Sequence, residues 1–332
     1  MNSPHHPTTV QEALIYFGKL PSRGDFVRST SGAAIIQPLD RWMTVSLEQL
    51  ATAPDWKQQF DAMVPVEFAF VGSRSASVLA GRMVGSRDSV GRRFPFLIAG
   101  NLGTSAPLDL LRVLPMALLP AWTDFSELAN NALAATEIET ALERIDLAHL
   151  QADTDLDGLR VRLANYLETA TLSNLQRMLV GSGNPVDVRQ TIIALGLLLT
   201  PLLSQNTGGA TKGLALPLPG SNSAAVHVAS FWLCLLAPFL TRDNFDLNLM
   251  RTQLAGRPQL VISFNGASPR ALEAILNPQL AFDINIDMCQ AEWVEDYVAS
   301  EYPLTKLSSY LEHPELSLGQ ALNTFNEVFL GA

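Results

Sequence analysis

Three short clusters of charged and aromatic residues hold most of the chemical potential of this 332-residue sequence. The first, YFGKLPSRGDFVR (Tyr16 to Arg28), has Gly18 and Gly24 bracketing a loop that Pro21 stiffens, with Lys19, Arg23, Asp25 and Arg28 as its charges. The second is Asp40-Arg41-Trp42, and the third is Arg92-Arg93-Phe94-Pro95. Guanidinium forks pair bidentately with carboxylates, so Asp25, Asp40, Arg41 and Arg92 can form an internal network that locks the loop to its neighbours. On the alternative reading the fixed loop, with Lys19, Arg28, Arg82, Arg87 and Arg93 around it, is a protein-docking face. Both readings stand at this level.

Other chemistries lack their parts. GSRSA (Gly72 to Ala76) misses the last glycine of a nucleophile elbow. GKLPSRG has a Gly-Lys pair without the upstream glycine or the following Ser/Thr of a phosphate loop, and GSGNP lacks the third glycine of a dinucleotide fingerprint. His5 and His6 stand near the start, while His149, His227 and His313 are scattered, with no Cys/His cluster suited to zinc. His227, in an apolar helix pattern, reads as a core histidine. The tripeptide Arg23-Gly24-Asp25 spells an adhesion signal, but three letters match by chance. No metal or cofactor is expected.

The formal net charge of −10 opposes general nucleic-acid binding, which needs a cationic surface. That charge is unevenly placed: Arg74, Arg82, Arg87, Arg92 and Arg93 face only Asp88, a local basic stretch fit for a solvated hairpin or an acidic protein face. Two distant cysteines, Cys234 and Cys289, suit a reducing compartment. Met1 to Thr9 has neither the basic start nor the apolar core of a signal peptide. The apolar runs Thr191 to Leu203 and Ala224 to Leu240 read as buried helices without direct membrane insertion. A cytoplasmic protein is expected.

The elements that must position the clusters follow from periodicity. Ala13 to Gly18 reads as a buried strand, and Ser31 to Leu50 as an amphipathic helix bearing Asp40 and Trp42. VEFAFVG, ASVLAGRMVGS and GRRFPFLIAGNL read as strands, with Gly85 to Gly91 as a hairpin connection and Pro95 at a strand start or sheet edge. The pattern turns helical from Pro107 to about Leu150, and QADTDLDG is an acidic turn. Beyond it lie further helices, a strand in GLALPLPGSNS, and a strand, turn and helix in RPQLVISFNGASPRALEAILN, capped near Ser268 with Pro269 first. Three short helices close the chain. The predicted organisation is a flexible tail over 1–11, an α/β domain over 12–150 with a central sheet and helices packed on both faces, and a helix-rich α/β domain over 151–332.

The three clusters, in this order and roughly this spacing, resemble the TagF/ImpM family of type VI secretion-associated proteins. The family's opening is similar to YFGKLPSRGDFV, its next signature to a helix bearing Asp40, Arg41 and Trp42, and its third to SVGRRFPFLIA. Arg93 departs from the tyrosine expected after the Gly-Arg pair. The resemblance implies an α/β sandwich and a non-enzymatic cytoplasmic repressor, which acts after translation by binding the forkhead-associated scaffold protein Fha and restraining apparatus assembly. Some members are fused to a PP2C-type phosphatase, but this chain has no metal-binding aspartate set of that kind. Two other readings compete: a hydrolase or small-molecule-binding enzyme with a site near Ser204 to Ser223, and a structural subunit of the secretion baseplate.

Overall fold

Alternation governs the first half of the fold. Val66–Gly72 places Glu67, Ala69 and Val71 on one side of a strand and Phe68 and Phe70 on the other, and both sides pack against apolar layers. The structure, a computed structural model, describes residues 13–104, 106–203, 212–240 and 245–331. The expected tail, with His5 and His6, and most of the Ser204 to Gly213 loop lie outside the described residues.

The chain begins with β1 (Ile15–Gly18), β2 (Val27–Arg28), α1 (Ala33–Leu50), α2 (Trp56–Asp61), β3 (Val66–Gly72), β4 (Ser77–Val84) and β5 (Phe96–Gly103). A helical stretch follows: α3 (Pro107–Leu111), α4 (Leu114–Ala134), α5 (Ile138–Asp146), α6 (Leu156–Thr169), α7 (Leu172–Gly181) and α8 (Val188–Leu199). Next come β6 (Gly213–Pro217), α9 (Asn222–Leu236), β7 (Asp246–Leu254), β8 (Arg257–Ser263), α10 (Pro269–Leu276), α11 (Ala281–Ile284) and β9 (Asn285–Asp287). The chain closes with α12 (Val294–Ser300), α13 (Tyr302–Leu311) and α14 (Leu318–Leu330).

Among the described residues these strands form one nine-stranded sheet in the order β2-β1-β5-β4-β3-β7-β8-β6-β9, antiparallel except for β6–β9. One face carries Tyr16, Ile98, Ala80, Ala69, Leu249 and Ile262 under the large helical layer that includes α4, α8, α9 and α14. The other carries Phe17, Leu97, Phe68, Met250 and Val261 under α1, α2 and α10. This is the central sheet with helices on both faces that the pattern predicts. The two long apolar runs are core helices as expected. Asn222–Leu240 is apolar and long enough to cross a membrane, yet 78% of that window is buried inside the protein.

The helix α1 shows how one element is held. Ile36, Leu39, Trp42, Met43 and Leu50 share its buried stripe. Trp42 Nε1 donates to the Ser268 carbonyl at 3.1 Å, and Ser46 Oγ donates to the Pro269 carbonyl at 2.9 Å. Pro269 does open α10, but the Ser268 side chain makes no capping hydrogen bond; its carbonyl takes the indole of α1 instead.

The expected boundary at 150/151 separates stretches of sequence, not sheets. β3 pairs with β7 over six residues, from Glu67↔Arg251 to Gly72↔Asp246. Asp153 N donates to the Ala117 carbonyl at 2.9 Å, which ties the connection back to α4. At the joint, Glu67 lies directly opposite Arg82 on β4 and Arg251 on β7. Arg82 donates to Glu67 Oε1 at 2.7 Å, and Arg251 pairs with Oε2. Removing one member of a buried ionic set leaves uncompensated charge. Glu67→Ala should therefore cost about 3 to 5 kcal/mol in urea unfolding. Loss of the exposed Arg23–Glu139 pair by Arg23→Ala should cost less than about 1 kcal/mol.

Candidate functional site

The first cluster is shaped by a close approach of two strands. Gly18 has φ +138°, and a Cβ built there would lie 2.0 Å from the Pro95 carbonyl oxygen, so β1 can run against Pro95 and Phe96 only with glycine. Lys19 then turns inward, with its side chain 8% exposed, and its Nζ reaches Asp88 Oδ2 at 2.8 Å. The Lys19 carbonyl accepts from Ser86 Oγ at 2.6 Å.

Asp88 is the hub. Its Oδ2 also accepts from Arg92 Nε at 2.6 Å, and its Oδ1 accepts from the amides of Val90 at 3.1 Å and Arg92 at 2.8 Å. Arg92 continues to the Gly24 carbonyl at 2.6 Å, and Ser89 N donates to the Arg23 carbonyl at 2.8 Å. These bonds knit the 85–93 hairpin to the 19–26 loop. Burial alone would raise the Asp88 carboxyl, but the bonds from Lys19 and Arg92 outweigh it and hold the group well below the usual carboxylate range.

The expected network of Asp25, Asp40, Arg41 and Arg92 is therefore corrected. Asp25 accepts from the neighbouring Phe26 amide at 2.8 Å, Asp40 accepts from Thr44 Oγ1 at 3.0 Å, and Arg92 is taken by Asp88. Short-range donors satisfy both carboxylates before a distant arginine can. Among the described residues, Arg28, Arg41 and Arg87 are exposed and make no ion pair. Arg23 is exposed and pairs with Glu139 on α5. Arg93, at the departing signature position, grips Asp61 at the end of α2 with bonds of 2.8 and 2.6 Å and so lowers the Asp61 carboxyl. Trp42 is core, and Arg82 stands on the opposite face of the sheet beside Glu67. Sequence reasoning misses Asp88 as a site member. Its signal is nevertheless there, as the lone acid within an arginine-rich hairpin.

Phe26 is the centre of an exposed patch. Phe26 is 43% exposed, stacks on Phe17 with centroids 5.4 Å apart, and meets Phe94 edge-on at 4.9 Å. Lys19 Nζ sits 5.0 Å from the Phe26 centroid. An open hollow of about 720 Å³ is lined by these three rings with Asp25, Arg28, Asp40 and Thr44. Each sequence cluster contributes: Asp25, Phe26 and Arg28 from the first, Asp40 from the second, Phe94 from the third. Such an arrangement, an anchored aromatic inside a charged rim, suits protein recognition.

Residues 15–164 match the family described as TagF N-terminal domain, Type VI secretion system-associated. This part of the chain is similar to the TagF N-terminal domain. No curated protein matches the chain. Among solved structures, the crystal structure of PA0076 from Pseudomonas aeruginosa PAO1 is similar at 23% identity and a TM-score of 0.36, over 41% of this chain and 62% of that one. This chain thus spans less than two thirds of that structure's length. The TagF match ends within α6, so β7 and everything after it lie beyond the matched residues.

Two outcomes test how the 19–26 loop is held. Gly18→Ala should cost more than about 1 kcal/mol in chemical unfolding, because strain and a backbone clash add. Gly91, at φ +86° with nothing within 4 Å of where a Cβ would lie, should lose less on the same change. The Asp88 effect should follow pH. A depressed folded pKa stabilises fully above the unfolded value of about 4 and loses that contribution as pH falls further. Asp88→Asn should therefore melt lower than wild type at neutral pH, with the gap narrowing below about pH 4 in thermal scans.

Proposed function

We propose that this protein is a non-enzymatic, cytoplasmic, post-translational repressor of type VI secretion that binds the forkhead-associated scaffold protein Fha, with the Phe26 face as its docking surface. One observation carries the reading: the three family-resembling clusters, far apart in sequence, meet around an exposed phenylalanine on a loop that Asp88 holds rigid. A pre-ordered loop spends little entropy on binding, and a half-exposed aromatic offers the kind of anchor that dominates interface energetics. The rim charge Arg28, exposed and free of ion pairs among the described residues, is available to steer a partner and set its register. The buried, unpaired Cys234 and Cys289 suit a reducing cytoplasm. Restraint of secretion then follows from sequestering the scaffold while it is held in the complex.

Binding of purified full-length protein to Fha, measured by calorimetry, tests this directly. Phe26→Ala should weaken the complex at least about tenfold. Arg28→Glu should mainly slow association and alter its salt dependence, with the melting temperature unchanged. Absence of binding by the wild-type protein would refute the Fha assignment. Unchanged affinity in both variants would refute this face as the docking surface.

A further inference from the structure

A second cleft lies on the opposite face of the sheet, where the TagF-matched strands meet the rest of the chain. It is about 560 Å³, a size suited to a small ligand, and its lining includes Glu67, Arg82, Trp122, Asn222 and Arg251. Two guanidiniums and an indole lie in its lining. Glu67 offers one negative charge to two guanidiniums, and both its oxygens are already engaged. Arg82 Nε is buried without a partner, and so is Nε1 of Trp122, a side chain only 5% exposed. Arg251 lies over the Trp122 ring at 5.1 Å and also donates to Asn222 Oδ1 at 3.3 Å. The first turn of α9 borders the cleft through Asn222, and its N-cap Ser221 supplies no side-chain acceptor.

These donors call for an acceptor carrying negative charge. Burial is the largest influence on Arg82 and lowers its pKa; Glu67 counteracts this, and Arg251 adds to it. A second anion would relieve that conflict. The other acid lining the cleft, Glu127, is exposed on α4 and so is well screened by water.

We propose that this cleft is a binding site for a small organic anion, its carboxylate or phosphate group held by the Arg82 and Arg251 guanidiniums beside Trp122 and the first turn of α9. The site joins Glu67, Arg82 and Trp122 of the TagF stretch to Asn222 and Arg251 beyond it, so a bound anion bridges the two parts of the chain. This inference is independent of Fha binding.

The test is titration of the full-length protein with citrate, AMP and inorganic phosphate at constant ionic strength, read by calorimetry and thermal shift. At least one probe should bind saturably at one site per chain and raise the melting temperature. Trp122→Phe removes the N–H while keeping the ring, and Thr123→Asp adds a negative charge on the exposed edge of the cleft. Each should weaken binding about tenfold or more, while Arg23→Ala, on the far loop, leaves it unchanged. No saturable binding by any probe would overturn the proposal, as would binding indifferent to both cleft variants.

Discussion

Glu67 sits between two arginines at the one place where the sheet could have divided. Its register partners are Arg82 on β4 and Arg251 on β7, so a single carboxylate bridges three adjacent strands from both halves of the sequence. Antiparallel pairing sets the strand spacing and puts those side chains on one face. A one-residue slip of β7 against β3 would move Arg251 to the other face and drive Met250 and Leu249 out of their separate cores. The sheet continues through this joint: β8, β6 and β9 extend from β7.

The same economy operates at the sheet's other end. Asp88 gathers Lys19, Arg92 and two backbone amides, so that a loop without regular structure is held as firmly as a strand. The charges that read most like a recognition motif divide by this criterion. Lys19 and Arg93 are spent on structure, whereas Arg28, Arg41 and Arg87 remain outside any ion pair among the described residues. Phe26 gains its fixed position from below, through Phe17 and Phe94, and keeps its outer surface available.

Legibility in the sequence followed the strength of local signals. The strands β3, β4 and β5 are short, mostly apolar runs that end at or beside a glycine, α1 repeats apolar residues at helical spacing, and Pro269 marks the start of α10. The strand β7 has no such clarity: Asn248, Arg251 and Thr252 interrupt its pattern because they face buried or charged neighbours that come from distant segments. The short strands β2 and β9, of two and three residues, exist only because an adjacent strand offers its edge. The site was legible as three clusters but not as a geometry. Asp25 and Asp40 looked like arginine partners, yet each is satisfied within four residues along the chain.

By itself the sequence determined the α/β class, the main helices and strands, and the three segments that resemble the TagF family, because each depends on contacts or spacings within a few turns of the chain. Tertiary structure alone decided that one sheet runs through both halves, that Asp88 is the loop's anchor, and that Trp42 and Arg82 serve the interior while Phe26 faces outward. The physical reason is common to all three: which partner a charge or ring finds depends on strand register and on burial. Register and burial are set by segments that can lie far apart in sequence, 69 residues for Lys19–Asp88 and 184 for Glu67–Arg251.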